Sequence, residues 1–532
     1  KKKKKNKKKK KKKKNKKKKK KMKKKKSFFI TTPIYYVNDT PHIGHAYTSI
    51  ACDVLARFNR LKDLDVMFLT GTDEHGLKIE QAAKKENLES KVFVNQMSLH
   101  FKELSKTLNI SNDNFVRTTD EYHIKASQHI WKILQDNNQI YLDKYKGWYS
   151  VSDEAFFNDD EITEDKKNKK KIAPTGNVVE WVEEESYFFK LSQWQSQLLE
   201  YYEKNPNFIG PNSRRNEVIS FVKNGLKDLS ISRTAFNWGI KVPNDEQHVM
   251  YVWLDALINY LSAIGYPDDK YKKFWPADIH IVGKDILRFH AVYWPAFLLA
   301  ANIALPKRIF AHGWWTNEGK KISKSLGNVI NPKEVIEKYG LDTLRYFLLR
   351  EIPFGNDGDF SIKSLTRRIN NDLANDLGNL IQRVLTIIYK NFDGRLNKIN
   401  KFSDKDKKLF EYPKEILEDI EHFYEQQEFH KVIEKIWGLI SKANKYVDEV
   451  APWDLVKKNL TRAGDVLSIL VIVIVKIGIY LYPIMPNVSE SILNKIGLSI
   501  NKLNLNDIKN NEIIDFKYKI QKPEIIFKKI DE

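Results

Sequence analysis

The first stretch with folding character, Phe28 to Leu69, carries a strand–helix–strand rhythm that few architectures accommodate. Phe28-Phe29-Ile30 is a short apolar run, and Asn38-Asp39-Thr40-Pro41 is turn-rich. His45–Leu61 has helical spacing, and Val66-Met67-Phe68-Leu69 is a second apolar run. That order implies a parallel sheet whose ligands sit at the carboxyl ends of the strands. The helix start, Pro41-His42-Ile43-Gly44-His45, presents unpaired backbone N–H groups and the positive end of a helix dipole, which attract anions. Gly44 removes a side chain where a ligand could approach the backbone, and His42 and His45, three apart, share a helix face.

A second segment, Lys321-Ile322-Ser323-Lys324-Ser325, offers two ammonium groups and two hydroxyls in a small loop, which suits a polyphosphate. Taken singly, each piece has a plain reading: a histidine capping a helix, and a solvated lysine-rich loop. Two further strand-like runs reach the same end of the predicted sheet. Ile279-His280-Ile281-Val282-Gly283 ends in glycine before a helix carrying Arg288, His290 and Trp294, and Ile309–Gly313 leads into the Lys321 loop.

The formal charge of +24 over 532 residues suggests a nucleic-acid binder until its location is read. Residues 1–26 hold 23 lysines, interrupted by Asn6, Asn15 and Met22, so residues 27–532 carry about +1. The body therefore has no global field for RNA, and contacts must come from local patches. The lysine tract cannot bury apolar surface and is expected to be disordered. A Lys/Asn homopolymer is what an A-rich stretch encodes, so Met22 is a candidate start. Cys52 is the single cysteine, which excludes a disulfide within the chain and a cysteine-based zinc knuckle. The most apolar run, Val466–Val475, is about half of a bilayer span and reads as a buried bundle helix, so no membrane association is expected.

The pattern divides the chain into six stretches. After the 1–26 tract, 27–113 is the first half of a Rossmann-type parallel-sheet domain. Residues 114–233, rich in aromatics and acids with a polar insert at 165–171, are a connective insertion, and 234–310 resume the sheet. Residues 311–365 hold the Lys321 loop, and 366–532 are helical, with periodicity over Ile369–Tyr389, Pro413–Tyr446 and Asp465–Tyr482. The fold class is α/β followed by an all-α bundle.

The PHIGH and KISKS pieces, in this order, resemble the two signatures of class I aminoacyl-tRNA synthetases. Five blocks narrow the resemblance: Ile30–His45, Phe68–Gly76, Tyr251–Ala256, Gly283–Trp294 and His312–Asn328. Together they look like the methionyl-tRNA synthetases, of a zinc-free, alphaproteobacterial or organelle-like type. The resemblance implies activation of L-methionine by ATP with Mg2+, then transfer to the 3′-terminal adenosine of methionine tRNA, initiator and elongator. It assigns His42, Gly44, His45, Gly283, Asp285, Lys321, Ser323 and Lys324 to ATP, with His42, His45, Lys321 and Lys324 catalytic. Methionine falls to Ile34, Asp73, Trp253, Leu257, Tyr260, Ile286, His290 and Trp294, with Asp73 taking the ammonium and Tyr260 giving the sulfur a weak hydrogen bond. Asn379, Arg383 and Trp453 fall at anticodon-reading positions. No structural zinc is expected, and the chain leaves no room after Phe516–Glu524 for the oligonucleotide-binding domain that dimerises other members, so a monomer is expected. The expected location is the bacterial cytoplasm, or an organellar matrix in a eukaryote. The alternatives are another class I synthetase, for isoleucine, valine, leucine or cysteine, and a non-catalytic tRNA-binding homologue.

Overall fold

The computed structural model describes residues 25–38, 40–165, 168–322, 327–396 and 398–531. Most of the lysine tract, with Met22, lies outside them, as do Ser323 and Lys324. The central sheet contains β1 (Ser27–Thr31), β2 (Tyr35–Tyr36), β3 (Asp65–Asp73), β4 (Asn114–Arg117), β5 (Ile209–Gly210), β6 (Ile279–Gly283) and β7 (Ile309–His312). Their order is β5-β7-β6-β1-β3, with β2 and β4 also on β3, and every pairing is parallel. Register follows from Phe29↔Met67 on one side of β1 and Ile30↔Ile279 on the other. The chain leaves β1 toward β3 and returns on the opposite side at β6, so β1 and β6 flank the point where strand order reverses. Open α/β sheets bind ligands there.

Two of these strands fall inside the stretch expected as insertion. Asn114–Arg117 pairs with β3, and Ile209–Gly210 with β7. Between them the chain builds an antiparallel hairpin, Ile140–Ser150 on Glu180–Phe189. A short apolar segment next to a parallel edge is completed by that edge, which periodicity alone does not reveal.

Helix α1 (Ile43–Leu61) joins β1 to β3 and is buried on nearly all sides. It packs on β1, β3 and β6 and also against the Leu341–Arg350 helix. From the bundle, Tyr424 stacks on Phe58 with ring centroids 3.9 Å apart. Most of the enclosed face of α1 is accordingly apolar, and its buried charges, Asp53 and Arg57, are paired with one another.

The helical half contains the expected periodic segments, one of them broken in two places. Pro413–Tyr446 spans parts of three helices, Asp404–Glu415, Leu417–Glu425 and Phe429–Val450. The last turn begins after Gln427, whose φ of +58° is left-handed and cannot continue a helix. Leu460–Leu481 is long and apolar enough to cross a membrane, yet its apolar window is entirely buried at the centre of the bundle.

Catalytic half and bundle meet on a buried ion cluster. Asp53 of α1 accepts from Arg57 Nε and from Arg345 Nη2, both at 2.7 Å, and all three residues are buried. Arg345 also donates to the carbonyls of Leu108, Pro483 and Ile484, and Arg57 to the Tyr482 hydroxyl. Burial pushes the Asp53 carboxyl up, but Arg345, Arg57 and Ser111 outweigh it and hold it below 3.8. Replacing Arg345 by methionine leaves Asp53 and three carbonyls under-satisfied and is expected to cost about 3–5 kcal/mol in denaturant unfolding. Because the folded carboxyl is depressed, this stabilisation is present at neutral pH and is lost as pH falls below the ordinary value of 3.8.

Candidate active site

The β1–β6 crevice opens into a cleft of about 610 Å³. Its floor is the start of α1. His42 caps the helix: its Nδ1 accepts from the Gly44 N–H at 3.1 Å, while the His42 N–H donates to His45 Nδ1 at 3.0 Å. This reciprocal cap satisfies two orphan donors with imidazoles where Ser and Glu are usual. Because both Nδ1 atoms accept from backbone, the proton of each neutral ring resides on Nε2. Burial, with His42 alongside, holds His45 well below 6.5. The helix start thus offers imidazole donors whose tautomer the backbone has set.

Gly44 has a further use within the cap itself. A Cβ there would lie 2.9 Å from His42 Cε1, so the glycine makes room for the capping ring. Gly283 behaves alike: a Cβ would lie 2.6 Å from Asp285 Oδ1. In both places the vacated space is taken by the functional side chain itself.

Beside Asp285 stands Trp314, whose indole N–H donates to Asp285 Oδ1 at 3.2 Å. Lys284 lies 4.2 Å over the Trp314 ring and pairs with Asp357 at 2.6 Å, and Asp357 also accepts from the Trp314 N–H. His312, at the end of β7, receives the Thr48 hydroxyl on Nε2 at 2.7 Å and donates from Nδ1 to the Gly313 carbonyl. Burial keeps it below 6.5. His312 and Trp314 were visible in sequence only as the approach to the Lys321 loop. Their position at a strand's carboxyl end is the signal that would have found them.

Ile34, Asp73, Trp253, Leu257, Tyr260, Ile286 and His290 line the other arm of the cleft. Trp253 stacks on Phe289 with centroids 3.9 Å apart and planes at 6°. His290 donates from Nδ1 to Ile286 O at 3.0 Å, which leaves Nε2 to accept the Tyr260 hydroxyl at 2.7 Å. Burial lowers His290 to about 4, so it stays neutral. The single Tyr260 proton is therefore committed to His290 here, and a hydrogen bond from Tyr260 to a ligand sulfur would require its release. Trp294 does not line the cleft. It is buried behind Tyr260, centroids 6.0 Å apart, and supports the wall.

Asp73 ends β3 with Oδ1 buried and without a hydrogen-bond partner among the described residues. Burial raises its carboxyl well above 3.8, and the nearby Asp255 and Glu154 add to this. Asp255 is itself held between His75 Nδ1, 2.6 Å, and His123 Nε2, 2.7 Å. Glu154, from the insertion, accepts from the hydroxyls of Tyr36 and Tyr149 and from the Lys78 N–H. An isolated buried carboxylate among other carboxylates calls for a cation.

The Lys321 loop begins where Lys320–Lys321 pairs with Trp315–Asn317. Asn317 Nδ2 donates to the Asn328 carbonyl at 2.8 Å across the loop, and the Ile43 N–H donates to Ile330 O at 3.2 Å. The segment after the loop is thereby tied to the start of α1. In the bundle, Arg383 lies 5.0 Å over the Trp453 ring and pairs with Asp448. Trp453 is 40% exposed rather than a buried helix-start aromatic. It follows Ala451, whose φ of +43° is left-handed and turns the chain. Asn379 is exposed one turn before Arg383 on the same helix. Among the described residues no group of three His, Cys, Asp or Glu side chains could hold a metal ion.

A parallel sheet with a histidine-capped helix at its switch point, followed by a helical bundle, is the architecture of a class I tRNA synthetase. Residues 28–385 match the family described as tRNA synthetases class I (M), and residues 397–532 match the anticodon binding domain of methionyl tRNA ligase. The methionine–tRNA ligase of Rickettsia conorii is 53% identical over 94% of this chain and 99% of its own length. That of Brucella suis is 50% identical over 90% and 93%. The structure of Mycobacterium tuberculosis methionyl-tRNA synthetase in complex with methionyl-adenylate superposes with a TM-score of 0.91 at 45% identity, covering 94% and 99% of the two chains. The chain belongs to the methionyl-tRNA synthetase family, which sets aside the isoleucine, valine, leucine and cysteine enzymes.

Because the Asp73 carboxyl is raised, an ammonium ligand should bind less well as pH is lowered, and the decline should begin above the range where ordinary carboxylates titrate. Calorimetric titration with methionine should show this decline for the natural enzyme, whereas Asp73→Asn should bind weakly at every pH.

Proposed function

We propose that this cleft joins L-methionine to ATP and hands the methionyl group to the 3′-terminal adenosine of methionine tRNA, initiator and elongator. The Asp73 carboxylate, whose buried Oδ1 has no hydrogen-bond partner among the described residues, stands at one arm of a cleft whose other arm holds the histidine-capped helix start, and it carries this reading. Asp73 takes the ammonium, and Ile34, Trp253, Leu257, Tyr260, Ile286 and His290 enclose the thioether in an aromatic slot that suits polarizable sulfur. Trp294 stiffens that slot from behind.

A methionine carboxylate oxygen attacks the α-phosphorus, the bond to the bridging oxygen breaks, and pyrophosphate leaves with the electron pair. Negative charge spreads over the phosphates, so positioning and charge stabilisation supply the catalysis. His42 and His45 donate from Nε2 at the helix start, while Lys321, Ser323 and Lys324 close on the leaving pyrophosphate. Asp285, set by Trp314 and given room by Gly283, holds the ribose, and Gly44 keeps the His42 ring in place. No ready-made metal cluster lies among the described residues, and Mg2+ enters in this reading as the ATP complex. In the second step a ribose hydroxyl of the terminal adenosine attacks the methionyl carbonyl carbon. The anhydride C–O bond breaks, and AMP leaves with the electron pair and receives the hydroxyl proton.

Asn379, Arg383 and Trp453 read the anticodon, with stacking on Trp453 and edge contacts from the other two. The domain limits follow the expected stretches, with the sheet including 114–117 and 209–210. The enzyme acts as a monomer in a bacterial cytoplasm, consistent with its bacterial relatives.

The reading is tested by methionine-dependent pyrophosphate exchange with isoleucine, leucine, valine and cysteine alongside. Exchange should strongly favour methionine, and Lys324→Ala should lower it by roughly a hundredfold or more with methionine binding nearly unchanged. No exchange from folded protein would favour the non-catalytic reading, and unchanged exchange in Lys324→Ala would remove that lysine from the mechanism.

A further inference from the structure

One wing of the cleft holds none of the residues assigned above to methionine or ATP. Its walls are Phe157 and Thr175 of the insertion, Glu217 and Phe221 of the Asn212–Lys223 helix, and Arg288, three residues past Asp285. The Arg288 guanidinium lies over the Phe221 ring, 3.9 Å from its centroid, and its Nη2 donates to Glu161 Oε1 at 3.0 Å. The ring covers one face, and Glu161 and the Tyr293 hydroxyl hold the edge, yet the side chain is still 33% exposed.

A guanidinium held flat with a face open to a cleft is a stacking plane for a base and a fixed charge for a phosphate. Lysine in its place would give the charge without the plane. The second step of the proposed reaction needs such a wall. The terminal ribose must reach the methionyl carbonyl, and its base must lodge where neither methionine nor ATP already sits. Single-stranded ends are recognised in this way, by splaying a base onto an aromatic or guanidinium face.

We propose that Phe221, Arg288 and Glu161 form the subsite for the 3′-terminal adenosine of tRNA, with the base stacked on the open face of the guanidinium. The proposal rests on the functional reading above and gives that reading's second step its own binding wall. Phe221 and Glu161 are positioning residues, and Arg288 is the one that touches the nucleotide.

The test separates the two half-reactions in the full-length enzyme. Single-turnover transfer from preformed enzyme-bound methionyl adenylate to tRNA is measured beside methionine-dependent pyrophosphate exchange, for the unsubstituted chain, Arg288→Lys and Glu161→Gln. Base stacking on a protein plane is strong enough that Arg288→Lys should slow transfer roughly tenfold relative to exchange. Glu161→Gln, which keeps the shape and loosens the guanidinium, should slow transfer by a smaller factor in the same ratio. A second readout uses tRNA lacking its terminal adenosine: removal should weaken binding to the unsubstituted enzyme and make little difference to Arg288→Lys. Equal loss of transfer and exchange would overturn the proposal and place Arg288 in the nucleotide corner. Full sensitivity of Arg288→Lys to the missing adenosine would overturn it as well. Absence of exchange in the unsubstituted enzyme would instead overturn the underlying functional reading.

Discussion

The buried cluster of Asp53, Arg57 and Arg345 holds the architecture to one geometry. Two guanidinium groups converge on one carboxylate with no exposure of Asp53 or Arg345. The remaining guanidinium hydrogens reach carbonyls at 108, 109, 483 and 484, and Ser111 satisfies the other carboxylate oxygen. Buried charge is tolerable only when nearly every donor and acceptor is met, and such a cluster has little freedom to shift. Its consequence lies further along α1, because the helix it pins is the one whose first turn forms the floor of the site.

At that first turn the chain assigns protons by backbone geometry. Hydrogen bonds from the Gly44 N–H to His42 Nδ1 and from the His42 N–H to His45 Nδ1 place both Nε2 atoms as donors, and burial keeps His45 from titrating near neutrality. Anion binding then draws on the helix end and on imidazole N–H groups without needing a charge that pH could remove. On the opposite arm the logic is reversed. Asp73 is buried near Asp255 and Glu154, so its own charge is disfavoured until a cation arrives. In the proposed function an ammonium group relieves that penalty, so an amino acid's charged end is recognised there rather than costly.

Much of this was legible in the chain. Parallel strands, the helix start, the glycine-ended strand before Asp285 and the helical half followed from apolar spacing and turn residues, and the cleft gathers His42, His45, Asp73 and Asp285 from segments more than 240 residues apart. Less legible were features that depend on a partner distant in sequence. β4 and β5 are strands because a sheet edge completes them. Trp294 carries the same pattern as a pocket residue, but Tyr260 stands between it and the cleft. The roles of Gly44 and Gly283 depend on which side chain fills the space. The Tyr260 proton goes to His290, which follows from the ring's orientation and not from its presence in the sequence. Trp314 and His312 escaped notice because their signal is position at a strand end, visible only once the strand order is known.

Nitrogen-15 NMR of histidine side chains, assigned with His42→Asn and His45→Asn variants, tests most directly that the helix start is a pair of imidazole donors set by the backbone. The account predicts that His45 is neutral with its proton on Nε2 and shows no titration near pH 6.5, the ordinary histidine value, and that neutral His42 carries its proton on the same atom. A proton on Nδ1 of either ring, or a His45 that titrates near its ordinary value, would contradict it.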